Sequence, residues 1–108
     1  MNSKSRSLLG FAAKAGRLSY GMEATVDSLK RGRAYLALAA CDISAKSKKE
    51  VAFFADQNAV RFCVLNEADS KTLSDAVGRK CGILSINDSG FADAFLKAHE
   101  EGGNGNDE

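Results

Sequence analysis

The sequence AYLALAAC, at residues 34–41, decides the fold of this chain. It is a continuous apolar run bounded by Arg33 and Asp42, and it is too short to cross a bilayer. An apolar run of this length without alternation is typical of a β-strand that is covered on both faces. The sequence therefore predicts a central sheet with other elements packed on either side of it.

Helical and strand patterns alternate outward from this strand. Five helices are predicted: over residues 4–15, from Gly21 to Gly32, from Ser47 to Asn58, from Asp69 or Ser70 to Gly78, and over residues 91–98. The third of them is predicted to begin with a capping box formed by Ser47 and Glu50. Three further strands are predicted over residues 17–20, 60–65 and 83–86. This alternation predicts an α/β domain, residues 1–99, built as a three-layer α/β/α sandwich. Residues 100–108 are predicted to form a disordered acidic tail, because GGNGNDE has nothing to bury.

Two of the helices have apolar residues from which we predict the buried face. In the second helix the apolar stripe is Met22, Val26 and Leu29, and the charged residues lie away from it. In the third helix the predicted buried residues are Val51, Phe53, Phe54 and Ala55.

The composition indicates a globular binding protein rather than an enzyme. Apolar residues make up 44% of the 108 residues and charged residues 27%, and no catalytic or nucleotide-binding motif is present. The three cysteines, Cys41, Cys63 and Cys81, form no C-x-x-C pair, so we expect them to be buried or half-buried and assign no metal or cofactor. The N-terminal segment lacks the pattern of a signal peptide, so a cytosolic protein with no membrane contact is expected.

The charge is distributed unevenly along the chain. The net charge is +1, but the last ten residues contain four acidic and no basic residues, which leaves 15 basic against 10 acidic residues in the body. A basic body is typical of a protein that binds a polyanion, although solvated basic faces are also common.

Five stretches then carry a family resemblance: LLGFAAKAGRLSYG (residues 8–21), TVDSLKRGRAYLALAACD (25–42), SKKEV (47–51), TLSDAVGRKCG (72–82) and NDSGFA (87–92). In their order and spacing they resemble the family of ribosomal protein L-seven-Ae, a kink-turn RNA-binding superfamily, and in particular its bacterial YlxQ-like members. The resemblance covers about residues 6–98. It implies a mixed four-stranded sheet inside the sandwich and a monomer that binds structured RNA, with ribosomal RNA, the ribosome or translation factors as partners.

In RNA-binding members of that family, the second helix presents the pattern Gly-x-Asn-Glu-x-x-Lys to the kink. Here Gly21 matches, whereas Glu23 replaces Asn, Ala24 replaces Glu and Asp27 replaces Lys. The two acidic residues would place negative charge against RNA, which predicts weaker recognition of an ordinary kink-turn. A protein-interaction adaptor on the same fold is therefore the alternative function.

The resemblance and the charge together give the predicted RNA-binding residues. They come from the second helix, its flanks and the loop before the last strand: Lys14, Arg17, Gly21, Met22, Glu23, Ala24, Asp27, Lys30, Arg31, Arg79, Lys80, Cys81 and Ile83. Lys30, Arg31, Lys14, Arg17 and Arg33 are expected to compensate for the lost motif residues, and Lys46, Lys48 and Lys49 to favour a phosphate contact at the third helix. The alternative for all of these cations is a solvated rim around a structural turn.

Overall fold

A computed structural model describes the backbone of residues 1–107 and the side chains of residues 1–100. The elements in chain order are α1 (Ser3–Lys14), β1 (Leu18–Tyr20), α2 (Gly21–Lys30), β2 (Leu36–Ala40), α3 (Ala45–Gln57), β3 (Arg61–Leu65), α4 (Ser70–Val77), β4 (Ile83–Ile86) and α5 (Ser89–Asp107). The predicted order of helices and strands is confirmed, and α5 is longer than its apolar pattern predicted. The proposed acidic tail lies, apart from Glu100, outside the residues whose side chains are described, and its disorder stays a prediction.

The four strands form one mixed sheet in the order β1-β4-β2-β3. β2 and β3 are parallel, whereas β4 is antiparallel to both of its neighbours, β1 and β2. Strands β1, β2 and β3 consequently run in one direction and β4 runs in the other. The mixed four-stranded sheet is thereby confirmed.

Helices cover both faces of this sheet, as the buried strand β2 required. One core joins Leu9 of α1, Leu73 of α4 and Phe95 of α5 to the sheet, and the other joins Leu29 of α2 and Val51 of α3 to it. All five residues of β2 are fully buried. The three-layer α/β/α sandwich is therefore confirmed.

The predicted capping box of α3 is wrong by one helical turn. Ser44, not Ser47, is the N-cap, because its Oγ accepts a hydrogen bond from the backbone N–H of Ser47 at 3.1 Å. Ser47 and Glu50 consequently lie inside the helix, where the same spacing has no capping role.

Two predicted apolar faces also differ from the structure. On α3, Val51 and Ala55 are buried but Phe53 is 60% exposed, since it lies about 200° around the helix from Val51. On α2, the buried residues are Thr25, Ser28 and Leu29, whereas Met22 and Val26 are half-buried. Ser28 can face the sheet because its hydroxyl bonds the hydroxyl of Ser19 on β1 at 2.6 Å, whereas the buried Thr25 hydroxyl has no hydrogen-bond partner among the described residues.

All three cysteines are buried or half-buried, as predicted. Among residues 1–107, no helix has the length and apolar character that a membrane crossing requires.

Candidate nucleic-acid interface

The direction of the strands gathers several helix starts at one end of the sheet. We call this the carboxyl end of the sheet and define it by the last residues of β1, β2 and β3, which are Tyr20, Ala40 and Leu65. Helices α2, α3 and α4 all begin there, and the loop that leads into antiparallel β4 arrives at the same place. In open α/β sheets, ligands bind where the carboxyl ends of strands meet helix starts.

The start of α2 differs from the starts of the other four helices. Side-chain oxygens cap α1, α3, α4 and α5, and the capping residues are Asn2, Ser44, Asp69 and Asp88. At α2 the N-cap is Tyr20, whose side chain forms no capping hydrogen bond, and Gly21 follows with a φ of 88°. The backbone N–H groups of the first turn of α2 therefore have no capping side chain and remain able to bind an anion.

The loop between α4 and β4 is held by one serine. Gly78 ends α4 in the left-handed conformation, with a φ of 73°. The Ser74 hydroxyl then accepts a hydrogen bond from the backbone N–H of Cys81 at 2.9 Å and donates one to the Cys81 carbonyl at 3.0 Å. These two bonds close the loop and leave Arg79 and Lys80 exposed at its tip.

Arg79 joins this loop to the start of α2. Its guanidinium carbon lies 4.6 Å from the centre of the Tyr20 ring, which is the geometry of a cation–π contact. Partial burial raises the pKa of the Tyr20 phenol, and the nearby positive charge of Arg79 opposes part of that rise. The phenol is therefore neutral at physiological pH, and the charge at this point of the surface is that of Arg79.

The side chains of Cys81 and Ile83, two of the predicted RNA-binding residues, are buried. Their side chains are 8% and 4% exposed and belong to the two cores. Burial also raises the pKa of the Cys81 thiol, so the thiol stays protonated at neutral pH. A contact of these two residues with RNA stays a prediction, and burial of the side chains limits it to their backbone.

A shallow groove between α2 and α3 holds two of the three positions at which the family pattern is lost, Glu23 and Asp27. It is lined by Met22, Glu23, Val26, Asp27, Lys30 and Glu50. Three of these residues are acidic, and Asp27 accepts a hydrogen bond from Nε of Arg31 at 2.9 Å. Lys30 lies with its Nζ 4.7 Å from the centre of the Phe54 ring. This groove is therefore acidic along much of its length.

The structure brings only part of the predicted residues together. The carboxyl end of the sheet carries Gly21, Met22, Glu23, Ala24, Arg79 and Lys80, and Lys14 lies beside it in a groove that also contains Tyr20 and Arg79. Arg17 lies at the opposite end, where its carbonyl accepts a hydrogen bond from the N–H of Asn87 at the end of β4. Lys30 and Arg31 lie at the last turn of α2, about 13 Å along the helix axis from Gly21.

Three residues at the carboxyl end have roles that the sequence did not assign. Tyr20 supports Arg79, Ser74 holds the loop, and Lys48 donates a hydrogen bond from its Nζ to the Cys41 carbonyl at 2.8 Å. Lys48 of α3 thus holds the β2–α3 loop in place, whereas Lys46 and Lys49 are exposed. An aromatic residue directly before Gly21 was the available signal for Tyr20.

Comparison with known proteins places this geometry in a family. The model of the ribosomal protein L7Ae/L30e/S12e/Gadd45 family matches residues 3–96. A protein with unknown function from Bacillus halodurans has a similar structure, with a TM-score of 0.84 and 25% sequence identity over 89% of this chain and 96% of that one. The Giardia lamblia 15.5kD RNA binding protein shares the fold, with a TM-score of 0.70 and 15% identity over 90% of this chain and 86% of that one.

No curated protein matches the sequence significantly. The family match nevertheless covers almost the whole of the sandwich, from α1 to α5. The chain therefore belongs to the ribosomal protein L7Ae/L30e/S12e/Gadd45 family.

Proposed function

We propose that this protein binds structured RNA at the carboxyl end of the sheet, without catalytic turnover. The observation that carries the proposal is the joining of two anion-binding elements, the uncapped start of α2 and the loop bearing Arg79 and Lys80, through the contact of Arg79 with Tyr20. Family membership and the RNA-binding function of the Giardia lamblia relative support it.

The two elements have complementary tasks in RNA binding. Backbone N–H groups at a helix start and the positive end of the helix dipole bind a phosphate. Arg79 and Lys80 add positive charge across from that point, and the guanidinium plane of Arg79 provides a surface on which an unstacked base can lie. A bend or an internal loop in an RNA helix offers both a phosphate and an unstacked base, so we propose an RNA of the kink-turn type.

Glu23 lies in the first turn of α2 and is exposed, so its carboxylate is close to the proposed phosphate position. Negative charge there lowers the affinity for any RNA that enters the α2–α3 groove. We propose that the RNA contacts the start of α2 and the α4–β4 loop, and that the carboxylates of Glu23 and Asp27 keep the RNA from extending into the acidic groove. The RNAs of the translation apparatus in the cytosol are the proposed ligands.

A gel-shift titration with three RNAs tests this function. The RNAs are a kink-turn hairpin, an unkinked duplex of equal length and total ribosomal RNA, each at two salt concentrations. We expect preference for the kinked hairpin. Equal, salt-dependent binding to all three would reduce the site to a general basic surface, and no binding would refute the proposal.

Two arginine variants give a matched control. Both Arg79 and Arg17 are exposed and carry the same charge, but they lie at opposite ends of the sheet. Arg79→Gln should weaken binding of the kinked hairpin about ten-fold, whereas Arg17→Gln should change it less than about two-fold. Equal losses would show that overall charge, and not this site, determines binding.

The acidic α2–α3 groove supports a second candidate function, docking of a basic protein segment. Its three carboxylates, on Glu23, Asp27 and Glu50, surround the half-buried side chains of Met22 and Val26. Two results together would favour this adaptor function. The protein would bind a lysine-rich peptide but retain no RNA, and the double variant Glu23→Gln with Glu50→Gln would lose the peptide binding.

A further inference from the structure

A second surface continues from the proposed RNA site along the seam between α1 and α4. Two shallow grooves share Gly10, Lys14 and Ala76, so they form one continuous depression. Tyr20 and Arg79 line one end of this depression, and Arg6 and Phe11 line the other. We call it the α1–α4 groove.

The sequence of α1 produces the shape of this groove. Arg6, Gly10 and Lys14 are spaced four residues apart and therefore form one row on the helix. Gly10 lies where α1 and α4 come close together, since a Cβ atom added there would lie 3.4 Å from the carbonyl oxygen of Ala76. The groove thus has a floor of small residues and backbone between two cations.

The groove is strongly cationic. Arg6 and Lys14 are exposed and form no ion pair with any residue whose side chain is described, and Arg79 adds a third positive charge. The acidic residue on the wall is Asp75, whose carboxylate is 3.1 Å from Nζ of Lys71. The charge of the groove therefore selects an anionic partner.

Phe11 indicates which anionic partner fits. Its ring is 58% exposed and lines the groove together with Arg6 and Lys14. Exposed aromatic rings between cations are the means by which proteins bind single-stranded nucleic acid, because every base can stack on them. A protein partner would find little else to bury here, since the other lining residues are polar or small: Arg6, Ser7, Gly10, Lys14 and Ala76.

We infer that the α1–α4 groove binds a single-stranded segment that flanks the structured RNA, with one base stacked on Phe11 and phosphates near Arg6 and Lys14. The inference rests on the proposed RNA-binding function and extends it, because the groove begins at Tyr20 and Arg79. Arg6 and Lys14 are separated by about 12 Å along the helix axis, which matches about three stacked nucleotides.

The test compares two RNA probes by fluorescence anisotropy. One is a blunt kink-turn hairpin, and the other is the same hairpin with a short single-stranded oligoadenylate extension, which is prepared on either the 5′ or the 3′ end. We expect the wild-type protein to bind one of the extended hairpins about ten-fold more tightly than the blunt hairpin. Binding to the blunt hairpin with no gain from either extension would overturn the inference and leave the proposed function standing, whereas failure to bind any of the hairpins would refute the proposed function itself.

Matched variants identify the surface responsible. Phe11→Ala should remove the advantage of the extended hairpin, whereas Phe53→Ala should keep it, because Phe53 is equally exposed, at 60%, but lies on α3 on the other face of the sheet. Arg6→Gln with Lys14→Gln should likewise remove the advantage. Arg61→Gln with Lys97→Gln should not, because both residues are exposed and neither lines the groove. Equal behaviour of the two phenylalanine variants would overturn the inference. A second result would also overturn the inference: the single-stranded extensions add no affinity, and an oligoglutamate peptide binds the wild type but not the variant with Arg6→Gln and Lys14→Gln. The groove would then be a docking site for protein.

Discussion

Replacing Ser74 by alanine tests whether the α4–β4 loop is held as the structure shows. The substitution removes two hydrogen bonds, the one accepted from the Cys81 N–H at 2.9 Å and the one donated to the Cys81 carbonyl at 3.0 Å. Each such bond contributes about 1 kcal/mol to the free energy of unfolding. Alanine regains about 0.5 kcal/mol through its higher helix propensity, so the net loss is about 1.5 kcal/mol.

Urea denaturation followed by circular dichroism measures this loss. For a domain of this size, about 1.5 kcal/mol corresponds to a fall of about 1 M in the urea midpoint. Ser7→Ala is the control, because Ser7 is an exposed serine of α1 and the same change there leaves only the propensity effect. We expect Ser7→Ala to be neutral or slightly stabilising.

The same variant connects stability with binding. The loop that Ser74 closes carries Arg79 and Lys80. Because Ser74→Ala loosens this loop, the variant should bind the kinked hairpin several-fold more weakly than wild type even where it stays folded. A midpoint equal to that of wild type would refute the reasoning on the loop. A lowered midpoint with unchanged RNA affinity would refute only the role of the loop in binding.

Three further predictions concern the site and its surroundings. The first restores the family pattern with three substitutions, Glu23→Asn, Ala24→Glu and Asp27→Lys. The triple variant should bind a standard kink-turn about ten-fold more tightly than wild type. Unchanged affinity would show that the RNA contacts another surface. Deleting residues 101–108, which include three acidic residues, should tighten RNA binding in low salt and have no effect in high salt, and equal affinities at low salt would exclude screening by the tail. The backbone N–H of Thr72 donates a hydrogen bond to the Asp69 carboxylate and lowers the pKa of that carboxyl group. The stability that the ionised carboxylate contributes is therefore present above the ordinary carboxyl pKa and is lost as the pH falls through the lowered pKa. In Asp69→Asn, the urea midpoint should fall less steeply on the acid side than in wild type.

Apolar patterning predicted the fold because it reports burial directly. The uninterrupted run that contains β2 identified a strand with helices on both faces, and Gly78 marked the end of α4 because a left-handed residue is needed there. Helix faces were predicted less well where polar groups are buried. The hydrogen bond between Ser19 and Ser28 places a polar side of α2 against the sheet, and apolar periodicity cannot indicate such a network.

The exposed phenylalanines show a related limit. Phe53 and Phe54 are adjacent, so at most one of them can point into the core from a helix, and hydrophobicity alone does not decide which. Val51 and Ala55 decide it, because they are four residues apart and define the buried row. Phe11 of α1 is exposed as well, because it lies beside the row of Leu9 and Ala12 that enters the core.

The cations that are near α2 in sequence do not lie at the proposed RNA site in the structure. Arg17 is four residues from Gly21, but a strand separates them, and β1 carries the chain from one end of the sheet to the other. Lys30 follows Gly21 by nine residues, and the rise of α2 takes it to the opposite end as well. Neither residue therefore brings positive charge to the start of α2. Arg79 is far away in sequence but arrives beside Tyr20, because antiparallel β4 begins where β1 ends. Positive charge reaches the start of α2 instead through Arg79 of the α4–β4 loop and Lys14 of the α1–α4 groove, which both lie beside Tyr20.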